Sequence, residues 1–127
     1  MSVCVTQGIK VSVETEYLPD QSEPQNGKYI FAYDISITNE GSEPAQLLTR
    51  HWIIKDAQHH IEEVRGEGVV GETPYLEPGQ SFSYRSYCPL RTEYGTMRGT
   101  YGMVRRGGEE FEAVIAPFVL MPTHMLN

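Results

Sequence analysis

The sequence predicts an all-β protein, an antiparallel sandwich of two sheets, and three observations carry that expectation. Apolar residues recur at every second position in one segment after another. Clusters of Gly, Pro, Asn and Asp separate those segments, and no stretch holds a helical period. Composition leans the same way, because eight Tyr and four Phe stand among many Val and Ile, side chains that fit a pleated, half-buried surface. With 127 residues the chain is long enough for one domain and short for two. A chain of this size buries roughly two-thirds of the surface its unfolded form exposes, so it needs neither metal nor disulfide to stay folded.

Taken in order, residues 3–17 read as one strand. Val3, Val5, Ile9, Val11 and Val13 take odd positions, while Lys10, Ser12 and Glu14 take even ones. Residues 18–26, with two prolines and no period, form a loop. Tyr29–Thr38 is the clearest strand, with Tyr29, Phe31, Tyr33, Ile35 and Ile37 on one face. A turn cluster at Asn39–Pro44 leads to a strand over Leu47–Lys55. There Leu48, Arg50, Trp52 and Ile54 share one face, and Leu47, Thr49, His51 and Ile53 the other. Trp52 is the expected core anchor, since a buried indole contributes a large apolar area.

Asp56–His59 connects to a strand at Ile61–Arg65, and the glycine-rich stretch Val64–Pro74 follows. It is expected to be a turn at which the two sheets exchange a strand. A Pro-Gly turn at Leu76–Gly79 feeds Gln80–Tyr87, with Phe82 and Tyr84 inward, and Cys88–Gly95 reads as irregular. Met97–Arg105 alternates through Met97, Gly99, Tyr101 and Met103, and Arg106–Glu109 is a hairpin turn. The last strand, Glu110–Leu120, changes phase after Pro117, the mark of a bulge or a strand edge. Residues 121–127 are a short tail. Seven to eight strands at this spacing give a fibronectin type III / immunoglobulin-like antiparallel β-sandwich. It forms a single domain over residues 1–127, with the core at about 9–120.

The formal net charge of −7 repels nucleic-acid phosphates, and ten Lys plus Arg form no basic stripe. Nucleic acid is therefore not an expected partner. No run approaches the ~18–20 apolar residues of a spanning helix, so membrane insertion is not expected. The first residues lack a basic start and an apolar run, so no secretory signal is read. A cytoplasmic location with Cys4 and Cys88 reduced is the expectation.

Gly66, Gly68 and Gly71 stand at G-x-G-x-x-G spacing. In a dinucleotide fold such glycines let the backbone approach a pyrophosphate at a helix N-terminus. Pro74 and Pro78 follow too closely for a helix to start, and Glu67 and Glu72 set negative charge beside the loop. A backbone nest could hold an anion without a helix, so Gly66, Gly68 and Gly71 remain candidates for a nucleotide or pyrophosphate. His51, His59, His60 and His124, with Cys4 and Cys88, supply ligand types for zinc or cobalt but at no recognised spacing. Among the acidic residues Glu62, Glu63, Glu67, Glu72 and Glu77, the pair Glu67 and Glu72 is the candidate for a weak divalent cation. No nucleophile elbow or catalytic cysteine motif is present, so an enzyme is not expected, nor a cofactor. Arg65, Tyr75 and Tyr94 are the candidate anchors for a protein partner, because aromatic residues and arginine recur at interfaces. An exposed edge strand can also pair with itself to make a homodimer.

Five segments together resemble the ApaG family. They are Tyr33–Asn39, Leu48–Ile54, Arg65–Pro74, Leu76–Gly79 with Phe82–Tyr84, and Gly95–Tyr101, within a match running from about Ile9 to Leu120. The resemblance implies a fibronectin type III-like sandwich in a bacterial cytoplasmic protein, with no established catalytic activity. It also implies a genetic association with cobalt resistance and magnesium efflux, under the alternative name CorD. Similar domains are appended to eukaryotic F-box and polymerase-delta-interacting proteins, which implies a protein-recognition module. Two departures are local. His59-His60 stand where the family tends to have an Asn-Gly-type turn, and Tyr87-Cys88 where a Gly is common. A metal or redox role for His59, His60 or Cys88 is therefore not implied as a family trait. The expectation is a non-enzymatic interaction domain of this family, the alternative a small-ligand or cation binder at Gly66–Gly71.

Overall fold

The structure, a computed structural model that describes residues 1–125, consists of two antiparallel sheets. In chain order the strands are β1 (Ser2–Thr6), β2 (Ile9–Tyr17), β3 (Tyr29–Asn39), β4 (Ala45–Asp56) and β5 (Ile61–Glu67). They continue with β6 (Tyr75–Leu76), β7 (Ser81–Leu90), β8 (Gly95–Arg105) and β9 (Glu110–Leu120). One sheet has the order β1-β2-β3-β7, the other β5-β4-β8-β9, with β6 also on β4. Strand β8 pairs along β4 from Ala45 to Asp56. Strands β5 and β6 therefore share the other edge of β4, at Thr49–Lys55 and Ala45–Gln46.

Period-two patterning places the core. Val11, Val13, Phe31, Ile35 and Ile37 of one sheet face Leu47, Met97, Tyr101, Met103, Ile115 and Leu120 of the other, all at most 1% exposed. Trp52, 3% exposed, lies edge-on to Tyr33, Tyr101 and Phe118 at centroid distances of 5.4, 6.3 and 5.9 Å. Such edge-to-face pairs add attraction beyond the buried area.

Several strand expectations need correction. Residues 3–17 are a hairpin, not one strand: Gln7 and Gly8 form a two-residue turn with φ of 47° and 83°, and Thr6 pairs with Ile9. The reversal puts Val3 and Val5 outside, 46% and 54% exposed, while Ile9, Val11 and Val13 enter the core. In β4 a register shift between Leu47 and Thr49 inserts an extra residue. Leu47 and Trp52 both face the core, and Leu48 is turned outward. Residues 88–90 continue β7, which tolerates Pro89 because it is an edge strand. The glycine stretch stays at one edge of β4. The next crossing between sheets comes only after β6, at a turn closed by Gln80 N–H donating to Glu77 O at 2.9 Å. The expected phase change in β9 is present: Ile115 and Phe118 both point inward around a register shift.

The two flanks of the sandwich differ. On one, β1 lies along β9, where Val114 N–H donates to Thr6 Oγ1 at 3.0 Å. Arg105 stacks over Phe111, 4.7 Å from its ring centre, and donates to Gln7 O and Glu43 O. On the other flank the end strands β5 and β7 have outer edges that pair with no strand among the described residues. There Ile54, Val64, Phe82 and Tyr84 are only partly buried.

Candidate functional site

The glycine stretch begins inside β5, where Gly66 pairs with Arg50 of β4. A Cβ on Gly66 would lie 2.7 Å from Arg50 Cζ, so the missing side chain is the space in which the guanidinium rests. From there Arg50 Nη1 donates to Glu67 O at 2.8 Å and Gly68 O at 2.9 Å. Gly68 has φ 63°, and a Cβ on it would collide with the carbonyl of Glu72. Gly71, at φ 79°, has open space around it; there the turn conformation alone calls for glycine.

Between these glycines lies a miniature hairpin. Val69 N–H donates to Glu72 O at 2.8 Å and Glu72 N–H to Val69 O at 2.9 Å. Positive φ at both central residues, 44° at Val70 and 79° at Gly71, makes it a type I′ turn, whose first central position favours Asn or Asp. Val69 is 1% exposed and anchors the hairpin, while Val70 is 57% exposed at its tip. A β-branched residue in this region is a backbone outlier that costs ~1–2 kcal/mol.

The loop's hydrogen bonding bears on the anion expectation. A phosphate nest needs converging, unused N–H groups. Here Gly68 N–H donates to Leu48 O at 2.8 Å, and the amides of Val69 and Glu72 pair with each other's carbonyls. Two carbonyls of the loop face a guanidinium instead. The electrostatics of the hairpin suit a cation that is already present as Arg50.

Glu67 follows Gly66 on β5 opposite Thr49, and Glu72 closes the hairpin. Among the described residues no three His, Cys, Asp or Glu side chains are placed to hold a metal ion. His59 and His60 are exposed in the β4–β5 turn, His59 with φ 66°. His51 Nε2 lies 2.8 Å from Glu63 Oε1, and His124 lies near Glu93 at the other end of the chain. Cys4 and Cys88 are free thiols.

The three partner-site candidates do not form one surface. Tyr75 is 45% exposed beside the hairpin, and its hydroxyl accepts from Arg106 Nη2 at 3.3 Å. Tyr94 is 43% exposed but precedes Gly95, which pairs with Asp56, whereas Tyr75 pairs with Gln46. The length of β4 therefore separates them, roughly 30 Å at the usual rise per residue. Arg65 lies midway along β5, opposite His51 and 3.8 Å from Glu63.

Sequence reasoning missed the Arg50 clasp and the polar seam behind it. Its signal was an arginine in phase with Trp52. Near Arg50 are the phenols of Tyr33, Tyr84 and Tyr101, and the hydroxyls of Tyr84 and Tyr101 hydrogen-bond. Burial is the largest cause raising all three phenol pKa values, with Arg50 opposing it. Burial, then the charge of Glu62, pushes the Cys88 thiol up to about 12. These groups stay neutral at physiological pH and supply neither a general base nor a thiolate nucleophile.

Fold and site define a fibronectin type III-like sandwich domain that displays a glycine hairpin braced by an internal arginine. The chain belongs to the ApaG family: a family profile described as the ApaG domain matches residues 19–105. It is 52% identical to a protein ApaG of Anaeromyxobacter dehalogenans over 127 residues, all of both chains. Against a protein ApaG of Bordetella pertussis it is 54% identical over 119 residues, 94% of this chain and 91% of that one. A crystal structure of a Bordetella pertussis protein titled ApaA is 52% identical. It superposes with a TM-score of 0.89 over 91% of this chain and 94% of that chain. The C-terminal domain of wzt, 10% identical with a TM-score of 0.57 over 96% of this chain and 77% of that one, shares the fold. No helix among the described residues is long and apolar enough to cross a membrane.

Proposed function

We propose that this chain is a non-catalytic protein-recognition domain of the bacterial cytoplasm that engages its partner through the glycine hairpin. The partner belongs to divalent-cation homeostasis, the cobalt and magnesium association implied by the family name CorD. One observation carries the reading: Val70 is an apolar, exposed, β-branched residue held at positive φ on a braced hairpin. Strained residues persist where the surroundings over-determine them and cluster at working surfaces. Val69 underneath and Arg50 behind supply that bracing, and Tyr75 with Arg106 adds an aromatic and a cation next to it.

Replacing Val70 by Gly relieves the strain and removes the apolar tip. The variant is expected to be more stable by ~1 kcal/mol in urea denaturation and to lose partners recovered from cross-linked cells by the wild type. The same partners in both samples, or none in the wild type, would overturn the proposal. The small-anion reading of Gly66, Gly68 and Gly71 is tested by amide NMR with pyrophosphate, and the cation reading of Glu67 and Glu72 with Mg²⁺ and Co²⁺. Because the amides of Gly68, Val69 and Glu72 are already donated, the expected response of the hairpin to pyrophosphate is flat.

A further inference from the structure

We propose that the free edge of β5 is a self-recognition surface, pairing antiparallel with the β5 of a second copy about a twofold axis at Val64. Hydrogen-bond phase shows which groups are available. Gly68 N–H donates to Leu48 O and Asp56 N–H to His60 O, and the pairing of β4 with β5 runs without a shift between these points. In an antiparallel ladder alternate residues bond to the neighbouring strand. The even-numbered residues of β5 therefore bond to β4, while Ile61, Glu63 and Arg65 aim their N–H and C=O groups at the open edge; Glu67 does the same, with its C=O also accepting from Arg50 Nη1.

Only registers that match these odd positions with one another complete a ladder between two copies. With the axis at Val64, Glu63 stands opposite the partner's Arg65 and Arg65 opposite the partner's Glu63, forming two ion pairs. Moving the axis to residue 63 sets Glu63 against the partner's Glu63. Moving it to residue 65 sets Arg65 against the partner's Arg65, and Glu63 against the partner's Glu67. Like charges directly opposite are destabilising, so the charge pattern selects one register. Charges on an edge strand ordinarily prevent pairing; this sequence satisfies them in one arrangement.

The inner face agrees with the same register. Val64, only partly buried in one copy, meets the partner's Val64 at the axis, and the partner's Glu62 comes opposite Gly66. That is where the Arg50 guanidinium lies. Its Nη1 is engaged by Glu67 O and Gly68 O, and its Nη2 has no protein acceptor among the described residues. Arg65 is also available, with its side chain 73% exposed and only a 3.8 Å contact to Glu63 of its own strand. The pairing would join the two four-strand ladders β9-β8-β4-β5 into one continuous sheet.

Charge exchange tests this arrangement by sedimentation equilibrium at low salt, with loading up to ~1 mM, where weak association is detectable. The wild type is expected to dimerise. Glu63→Arg and Arg65→Glu are each expected to weaken self-association at least ~10-fold, since each faces like charges. Mixing the two single variants restores a heterodimer, and the double variant Glu63→Arg/Arg65→Glu restores the homodimer. Amide exchange protection at Ile61, Glu63 and Arg65 follows the same order. A wild type that stays monomeric overturns the proposal, as does a dimer indifferent to both single changes. Val70→Gly leaves this association unchanged, so failure here and failure of the hairpin as a partner site are separable.

Discussion

At Arg50 a buried-side arginine does structural work that the three glycines had suggested for a ligand. Removing it in Arg50→Met leaves the carbonyls of Glu67 and Gly68 without their charged donor. Hydrogen bonds to charged groups are worth about 1.5–3 kcal/mol, and a loss of that size in urea denaturation is expected. Gly66→Ala should cost a similar amount, because the new Cβ displaces the guanidinium. The pair should be strongly non-additive, with Gly66→Ala nearly silent once Arg50 is gone. Cys88 gives a second residue-level expectation. Its thiol rises from an ordinary 9.0 to about 12 in the fold, so folding favours the protonated form. The corresponding stability is complete below pH 9 and is lost as pH climbs toward 12, by on the order of a few kcal/mol. The buried phenols act in the same direction above their ordinary value of 10.0. Urea denaturation across that range should show the fall, and Cys88→Ala should make it shallower.

Among the elements, strands that keep one parity in the core were legible from alternation, as was β9, where Pro117 marks the change of phase, whereas the β1–β2 turn and the β4 bulge carry no such mark. Strands β3 and β8 read correctly because each keeps one face in the core throughout. The β1–β2 hairpin was hidden because Gln7 is not a recognised type I′ residue, and the valines on both sides kept the same parity through the turn. In β4 the adjacent Leu47 and Leu48 gave no sign of which was the extra residue. The glycine motif was legible as a loop, but its chemistry depended on Arg50, which is distant in sequence and reaches it only through the β4–β5 ladder. The turn itself offers a test: Gln7→Asn places the preferred residue at a position already at φ 47°. A gain of about 0.5 kcal/mol or more is expected in thermal denaturation.

For the molecule as a whole, the asymmetry of the flanks decides where association is feasible. The seam between β1 and β9 is closed by Thr6, Val114 and Arg105, whereas the end strands β5 and β7 keep open edges. The proposed recognition at the hairpin and the proposed self-pairing along β5 would use neighbouring parts of the open side without sharing Val70 or Tyr75. An acidic net charge of −7 favours dispersal of copies, so the proposed pairing depends on the local Glu63–Arg65 pattern rather than on bulk charge.

The pairing of β3 with β7 has a kinetic consequence. These neighbours are separated along the chain by β4, β5, the glycine hairpin and β6, so a large loop must close before Tyr33 and Ser86 align. Loop closure of that kind opposes early contact, and sandwiches dominated by such distant pairings fold in milliseconds to seconds. The β4–β5 and β8–β9 hairpins, joined by short turns, can form first. The edge at β7 is then completed late, and the polar seam around Arg50 assembles only as the two sheets come together.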